Sequence, residues 1–184
     1  MNKRKIVVLF IFIILFGSYL YEKKVVHKFI YPQKYSEYVD KYSKEFNLDK
    51  NIVYSVIKVE SKFNSNAVSK KDAKGLMQIR DITRDWAAEE LKIKDVDIFD
   101  PETNIRIGCW YLSKLYDEFG KLDLVIAAYN GGSGNVKKWL EDDKYSKDGE
   151  NLHSIPFDQT SNYVYKVKKY YKEYKKIYGD SESK

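Results

Sequence analysis

Glu60 is the residue of this chain best suited to acid–base chemistry. It closes a helical run whose apolar members are Ile52, Val53, Val56, Ile57 and Val59. A carboxylate held against apolar surface resists ionisation, so the pKa of Glu60 should rise. A carboxylic acid that stays protonated near neutral pH can donate a proton to a leaving oxygen, as cleavage of a glycosidic bond requires. On its own, however, a glutamate near a helix end is usually only a solvated side chain.

Short motifs downstream of Glu60 change that balance. Val59-Glu60-Ser61 is followed by Phe63-Asn64, then Ala67-Val68-Ser69, then Gly75-Leu76-Met77-Gln78-Ile79. Ala127-Ala128-Tyr129-Asn130-Gly131-Gly132, Ile155-Pro156 and Tyr163-Val164 come later. In this order and spacing the motifs resemble the catalytic domain of the soluble lytic transglycosylases, a branch of the goose-type lysozyme-like fold. The resemblance covers residues 36–174.

The resemblance implies a role for each matching residue. Glu60 matches the catalytic acid of the family. The residues that match substrate contacts are Ser69 near the acid, Met77 and Gln78 on the cleft floor, Tyr129 and Asn130 beside the cleaved bond, and Tyr163 closing the site. The family acts on the glycan strands of peptidoglycan. No cluster in the sequence resembles a metal site, and we expect neither a metal nor a cofactor.

A single carboxylate also implies a mechanism. Glycosidases normally use two carboxylates, whereas the family resembled here uses one, and the N-acetyl group of the sugar assists departure of the leaving group. Glu60 is then expected to protonate the glycosidic oxygen and afterwards to take the proton of the C6 hydroxyl. That hydroxyl attacks C1, and the product carries a 1,6-anhydro-N-acetylmuramic acid end.

Two other functions fit the same residues. A hydrolytic muramidase on this fold would need a second carboxylate to direct water, and Asp72, Asp81 and Asp85 are near the motifs in sequence. A non-catalytic anchor would instead bind peptidoglycan through tyrosines that stack on sugar rings. Domains of the family resembled often serve larger cell-wall or secretion machines, but the sequence identifies no such machine.

Helices must position these residues, and their pattern predicts an all-α fold. Apolar residues recur at spacings of three and four, which predicts helices over residues 33–46, 50–61, 80–91, 101–119, 122–130, 134–140 and 158–178. Asp49 and Asp100-Pro101 have the composition of helix starts, and Gly120 that of a helix end. We therefore expect a compact multi-helix, lysozyme-like domain behind one N-terminal transmembrane helix.

The N-terminal segment has the layout of a signal peptide or signal anchor. Asn2-Lys3-Arg4-Lys5 is basic, Ile6 to Phe16 is apolar throughout, and no charge appears until Glu22. A helix over residues 6–21 would rise about 24 Å against a hydrocarbon core of about 30 Å, and flanking lysines that snorkel would extend its reach. Because no Ala-x-Ala cleavage site follows, an uncleaved single-pass anchor is favoured over secretion after cleavage. The basic end should stay in the cytoplasm, which places the domain outside.

Four segments follow from this organisation. They are a signal anchor over residues 1–24, a short stalk over 25–34, the catalytic domain over 35–178 and a polar tail over 179–184. Residues 1–24 hold five basic residues and one acid, which leaves +2 of the net charge of +6 for residues 25–184. So small a charge argues against a nucleic-acid-binding domain. Cys109 is the only cysteine, which excludes an internal disulfide and, with apolar neighbours, indicates a core position.

Overall fold

The protein, seen in a computed structural model, is described over residues 3–179 and is all-α there, as predicted. Its helices in chain order are α1 (Lys3–Ile30), α2 (Ser36–Glu45), α3 (Lys50–Glu60), α4 (Asp81–Glu90), α5 (Pro101–Phe119), α6 (Leu122–Gly131), α7 (Ser133–Leu140) and α8 (Asp158–Tyr178). Extended pairing within this range is limited to isolated bridges, among them Val68 with Lys74 and Lys74 with Ile79.

Local sequence chemistry sets the helix ends where it was expected to. The Asp49 side chain accepts a hydrogen bond from the Asn51 amide at 2.9 Å and caps α3. Asp100 caps α5 by accepting from the Thr103 amide at 2.8 Å, and Pro101 occupies the first turn, where no amide donor is needed. Gly120 ends α5 in the left-handed region, at φ +65°.

Helix α3 lies in the core and carries Glu60 at its end. It packs against α2 and α8, while α8 also packs against α6. Ile52, Val53, Val56 and Ile57 are almost fully buried, each contributing about 1.5–3 kcal/mol relative to exposure. The Tyr54 ring stacks on Tyr174 of α8 with centroids 5.5 Å apart. These contacts fix the end of α3 relative to α8, which matters for the site described below.

Helix α5 forms the other half of the core. It packs against α2, α4 and α6, and its buried face includes Ile105, Ile107, Leu112 and Leu115. Cys109 is fully buried in the same helix, and its core position is therefore confirmed. The long α5 thus packs both against α6, the helix that bears Tyr129, and against α4, the helix that precedes it in sequence.

The chain divides into two compact units, residues 1–34 and residues 35–184. Helix α1 accounts for most of the first unit and continues to Ile30, so the segment predicted as a stalk is helical for most of its length. Of the predicted polar tail, only Gly179 belongs to the described residues.

The structure does not support the expected transmembrane helix over residues 6–21. Within residues 3–179, no helix combines the length and the apolar character needed to cross a membrane. The physical reason lies in the composition of α1. Its uncharged stretch ends at Tyr21 and is followed by Glu22, Lys23 and Lys24, so the rest of the helix does not extend the apolar length.

Candidate active site

Glu60 is the last residue of α3 and keeps part of its surface exposed. Burial of its carboxylate disfavours the charged form and raises the pKa of Glu60 to about 7, from an ordinary value of 4.5. A hydrogen-bonding interaction with the Tyr163 hydroxyl lowers the pKa and offsets part of that rise. The carboxyl is therefore poised to exist in both protonation states near neutral pH.

Tyr163 and Tyr129 lie close enough to Glu60 to be coupled to its charge. Tyr163, on α8, is 6% exposed, and within the described part of the chain its hydroxyl makes no hydrogen bond of strict geometry. It nevertheless approaches the Glu60 carboxylate closely enough to stabilise the ionised form. Burial, followed by the negative charge of Glu60, holds the pKa of both tyrosines well above the ordinary value. Both hydroxyls therefore remain protonated and able to donate.

The segment of residues 74–78 is attached to this cluster through its backbone. The Tyr129 hydroxyl donates to the Met77 carbonyl at 2.9 Å. On the other side, the fully buried Asn104 accepts from the Met77 amide at 2.8 Å and donates to the Lys74 carbonyl at 3.1 Å. Gly75 has φ +77°, and a Cβ there would overlap the Asn104 amide. A side chain of α5 and one of α6 thus hold the segment from two sides.

Gln78 and Ser69 use their side chains to shape the preceding loop. Gln78 has a left-handed φ of +52°, which is strained for a residue with a Cβ. Its Nε2 donates to the carbonyls of Gly75 at 2.9 Å and Ala67 at 3.1 Å. The Ser69 hydroxyl accepts from the Lys71 and Ala73 amides. The bonds of Gln78 use its side-chain nitrogen and not its side-chain oxygen. The Ser69 hydroxyl oxygen, in contrast, already accepts two hydrogen bonds.

The side chains of Met77 and Asn130 lie outside the group formed by Glu60, Tyr129 and Tyr163. The Met77 side chain is fully buried, and a Cβ on Gly108 of α5 would overlap its sulfur, so this side chain belongs to the core. The Asn130 oxygen accepts from the Thr160 hydroxyl at 3.0 Å and joins α6 to α8. The structure thus brings Glu60, Tyr129 and Tyr163 together, joins the Met77 backbone to them, and places Asn130 at a helix junction.

The three aspartates considered as a second carboxylate are engaged elsewhere. The Lys74 ammonium is 3.2 Å from Asp72 and 3.0 Å from Asp81, and its hydrogen bond holds the pKa of Asp81 below the ordinary value. Asp85 pairs with Arg84 at 2.7 Å. Among the described residues, no carboxylate contributes to the shifted pKa of Glu60. Residues 3–179 also contain no group of three or more His, Cys, Asp or Glu side chains that could hold a metal ion.

Sequence reasoning did not identify Asn104. Its only signal is a polar residue on the face of α5 that Gly108, Leu112 and Leu115 make buried. A polar residue at such a position must find hydrogen-bond partners, which here are backbone groups of Lys74, Met77 and Ile98. Asn104 therefore positions the segment that carries Met77 and Gln78.

Comparisons with known proteins agree with this geometry. A family model described as "Transglycosylase SLT domain" matches residues 37–152. The soluble lytic murein transglycosylase of Salmonella typhimurium is 31% identical over 159 residues, covering 83% of this chain and 25% of the relative. The membrane-bound lytic murein transglycosylase C of Photorhabdus laumondii is 34% identical over 124 residues, covering 60% and 35%.

A solved structure shows the same fold. The X-ray structure of an inactive glutamate-to-glutamine mutant of the lytic transglycosylase Slt from Pseudomonas aeruginosa superposes with a TM-score of 0.70 at 29% identity. The match covers 80% of this chain and 25% of that one. The chain spans between about a quarter and a half of the length of the curated relatives it matches.

Proposed function

The chain belongs to the transglycosylase SLT domain family, and from this premise we propose that it is a lytic transglycosylase acting on peptidoglycan. Its substrate is the β-1,4 bond between N-acetylmuramic acid and N-acetylglucosamine. The arrangement that carries the proposal is the burial of the Glu60 carboxyl beside Tyr129 and Tyr163, which raises its pKa to about 7. The inactive relative altered at a glutamate is consistent with such a role.

Glu60 performs both proton transfers in this proposal. The protonated carboxyl gives its proton to the glycosidic oxygen while the bond from that oxygen to C1 breaks, and the sugar's N-acetyl oxygen stabilises C1. The resulting carboxylate then removes the proton of the C6 hydroxyl, whose oxygen bonds to C1. No water is consumed, and Glu60 ends in its starting protonation state. A pKa near 7 suits both directions of transfer at neutral pH.

The surrounding residues support these steps. The Tyr163 hydroxyl is placed to donate to the carboxylate formed between the two transfers. Tyr129, through its bond to the Met77 carbonyl, sets the distance between α6 and the loop bearing Gln78. We assign Glu60 as the catalytic residue and Ser69, Met77, Gln78, Tyr129, Asn130 and Tyr163 as residues that contact or shape the substrate site.

Product analysis tests the reaction type. Purified peptidoglycan is digested with the protein and with its Glu60→Gln and Glu37→Gln variants, and the fragments are identified by mass spectrometry. Wild type and the exposed-residue control Glu37→Gln should release fragments with 1,6-anhydro ends, and Glu60→Gln should release none. Reducing ends alone would indicate a hydrolytic muramidase. Equal binding to the wall with no fragments from any of the three proteins would indicate a non-catalytic binder.

We also propose that the apolar part of α1 attaches the protein to a membrane, with the domain acting outside the cytoplasm where peptidoglycan lies. The large apolar residues between Ile6 and Phe16 are all 45–66% exposed, so no core covers them. Arg4 and Lys5 supply a basic flank for anionic headgroups. A relative named as membrane-bound is in keeping with attachment. Service to a larger cell-wall machine remains a prediction.

Flotation with lipid vesicles tests the attachment. The full chain should float with vesicles, and Ile13→Lys should lower the floating fraction because a lysine within apolar lipid costs about 3 kcal/mol. Ile82→Lys, which alters an exposed isoleucine of α4 outside the first unit, is the matched control. Equal flotation of wild type and Ile13→Lys would remove the apolar segment from the proposal.

A further inference from the structure

A row of aromatic rings leads from the neighbourhood of Glu60 to the surface of α4. Tyr129, which is coupled to the charge of Glu60, has its ring centroid 5.4 Å from that of Tyr111 on α5. The Tyr111 ring lies 6.5 Å from the Trp86 ring on α4, and Trp86 lies 4.7 Å from Trp110. Three helices thus contribute to one continuous row of rings that begins at Tyr129.

Trp86 is the exposed end of this row. It is 45% exposed, whereas Trp110 beneath it is 3% exposed. Its ring planes meet those of Trp110 and Tyr111 at 78° and 76°, so neither neighbour stacks flat on the indole. Edge-to-face packing against a buried tryptophan fixes the ring while leaving apolar ring surface in contact with water. Because the indole is already fixed, it loses little conformational entropy when a ligand covers it.

The chemistry around Trp86 suits a sugar. A pyranose ring has an apolar C–H face that stacks on an aromatic ring and a polar rim of hydroxyl and amide groups. Glu90, one turn along α4 from Trp86 and therefore on the same face, is ion-paired with Lys114 of α5 at 3.2 Å. The Lys114 ammonium lies 5.6 Å from the centroid of the Trp110 ring that supports Trp86, so this pair provides donors and acceptors on the same side of α4.

We propose that Trp86, supported by Tyr111, is a carbohydrate-stacking platform that binds the glycan strand away from the bond cut at Glu60. The platform rests on the proposed function, since the row of rings gives it meaning only if a glycan lies across Glu60. A strand that reaches both places is held over a longer stretch than the reacting pair of sugars. Trp86 therefore contributes to the affinity for long strands and not to the chemical step.

Quenching of tryptophan fluorescence tests the binding directly. Trp86, Trp110 and Trp139 are the only tryptophans of the chain, and Trp110 and Trp139 are at most 6% exposed. Acrylamide should thus quench Trp86 selectively. Purified glycan strands added to Glu60→Gln, which keeps the size of the side chain, should lower that quenching. Unchanged quenching at strand concentrations that bind the protein would overturn the platform.

Kinetics on strands of defined length separates the platform from the catalytic proposal. Trp86→Ala should raise KM for long strands about tenfold, with kcat little changed and no effect on the shortest cleavable strands. Trp86→Tyr should restore most of the affinity. Tyr165→Ala, which removes another exposed aromatic from the side of α8 opposite Tyr163, should match wild type. Thermal melting of each variant identifies any loss through unfolding.

The outcomes of that experiment are distinguishable. An active wild type whose KM is unaffected by Trp86→Ala at every strand length overturns the platform and leaves the proposed function standing. A wild type that releases no fragments overturns the proposed function, and the quenching assay then decides separately whether Trp86 binds glycan.

Discussion

The buried carboxyl of Glu60 should reduce the stability of the folded protein as the pH rises. At pH below about 4.5 the carboxyl is protonated in both the folded and the unfolded chain, so it contributes no difference. Above pH about 7 it is ionised in both, and the folded chain then bears the full free energy of a desolvated charge. Because the folded pKa is the higher one, stability is lost between these limits. Glu60→Gln carries no charge and should escape the loss.

The magnitude follows from the displacement of the pKa. A rise from 4.5 to about 7, at 1.36 kcal/mol for each pH unit, corresponds to about 3 kcal/mol. Solvent screening at a partly exposed carboxylate reduces this to about 2 kcal/mol. Relative to wild type, Glu60→Gln should therefore gain about 2 kcal/mol between pH 4.5 and pH 8, or about 4–8 °C in Tm for a domain of this size.

Thermal unfolding of the full chain in mild detergent, followed by circular dichroism across this pH range, measures the gain. Glu37→Gln, at the exposed start of α2, provides the matched control for replacing a carboxylate by an amide. The decisive quantity is the change with pH of the stability difference between Glu60→Gln and wild type, since an effect of the amide that is the same at every pH does not alter it. If the stability of Glu60→Gln relative to wild type stays constant or falls as the pH rises, a desolvated carboxyl at this position is refuted.

Two further outcomes follow from the polar contacts of the site. Tyr163→Phe removes the hydroxyl that lowers the pKa of Glu60, so the alkaline limb of kcat/KM, set near pH 7 by loss of the acid, should move up by about one pH unit; a limb that stays or moves down contradicts this. Asn104→Ala leaves the buried Met77 amide without a partner and should lower the free energy of unfolding in urea by about 2–4 kcal/mol, whereas Asn66→Ala, at an exposed loop position, should change it by less than about 0.5 kcal/mol.

Much of the fold could be predicted because its signals are local. Asp100, Pro101 and Gly120 set the ends of α5 through their own backbone and side-chain chemistry, and α8 covers the range that apolar spacing predicts. The N-terminal unit was predicted less well. The sequence predicts a stalk over residues 25–34, yet α1 continues to Ile30, since lysine and glutamate are themselves good helix formers.

The candidate site was only partly accessible to sequence reasoning. The rise in the pKa of Glu60 follows from the apolar turns of its own helix, and that expectation agrees with the structure. The bond from Tyr129 to the Met77 carbonyl and the role of Asn104 depend on residues 27 to 52 positions apart in sequence. Such contacts arise from packing between helices, and no local pattern specifies them.

The close approach of Gly108 to Met77 links two positions that are distant along the chain. A Gly108→Ala substitution requires the Met77 side chain to move or to be replaced by a shorter one. Sequence change at either position is therefore conditional on the other, and a library that varies both together should recover folded combinations that single-site libraries discard. The space at this contact is therefore shared between positions 77 and 108 and is not set by either residue alone.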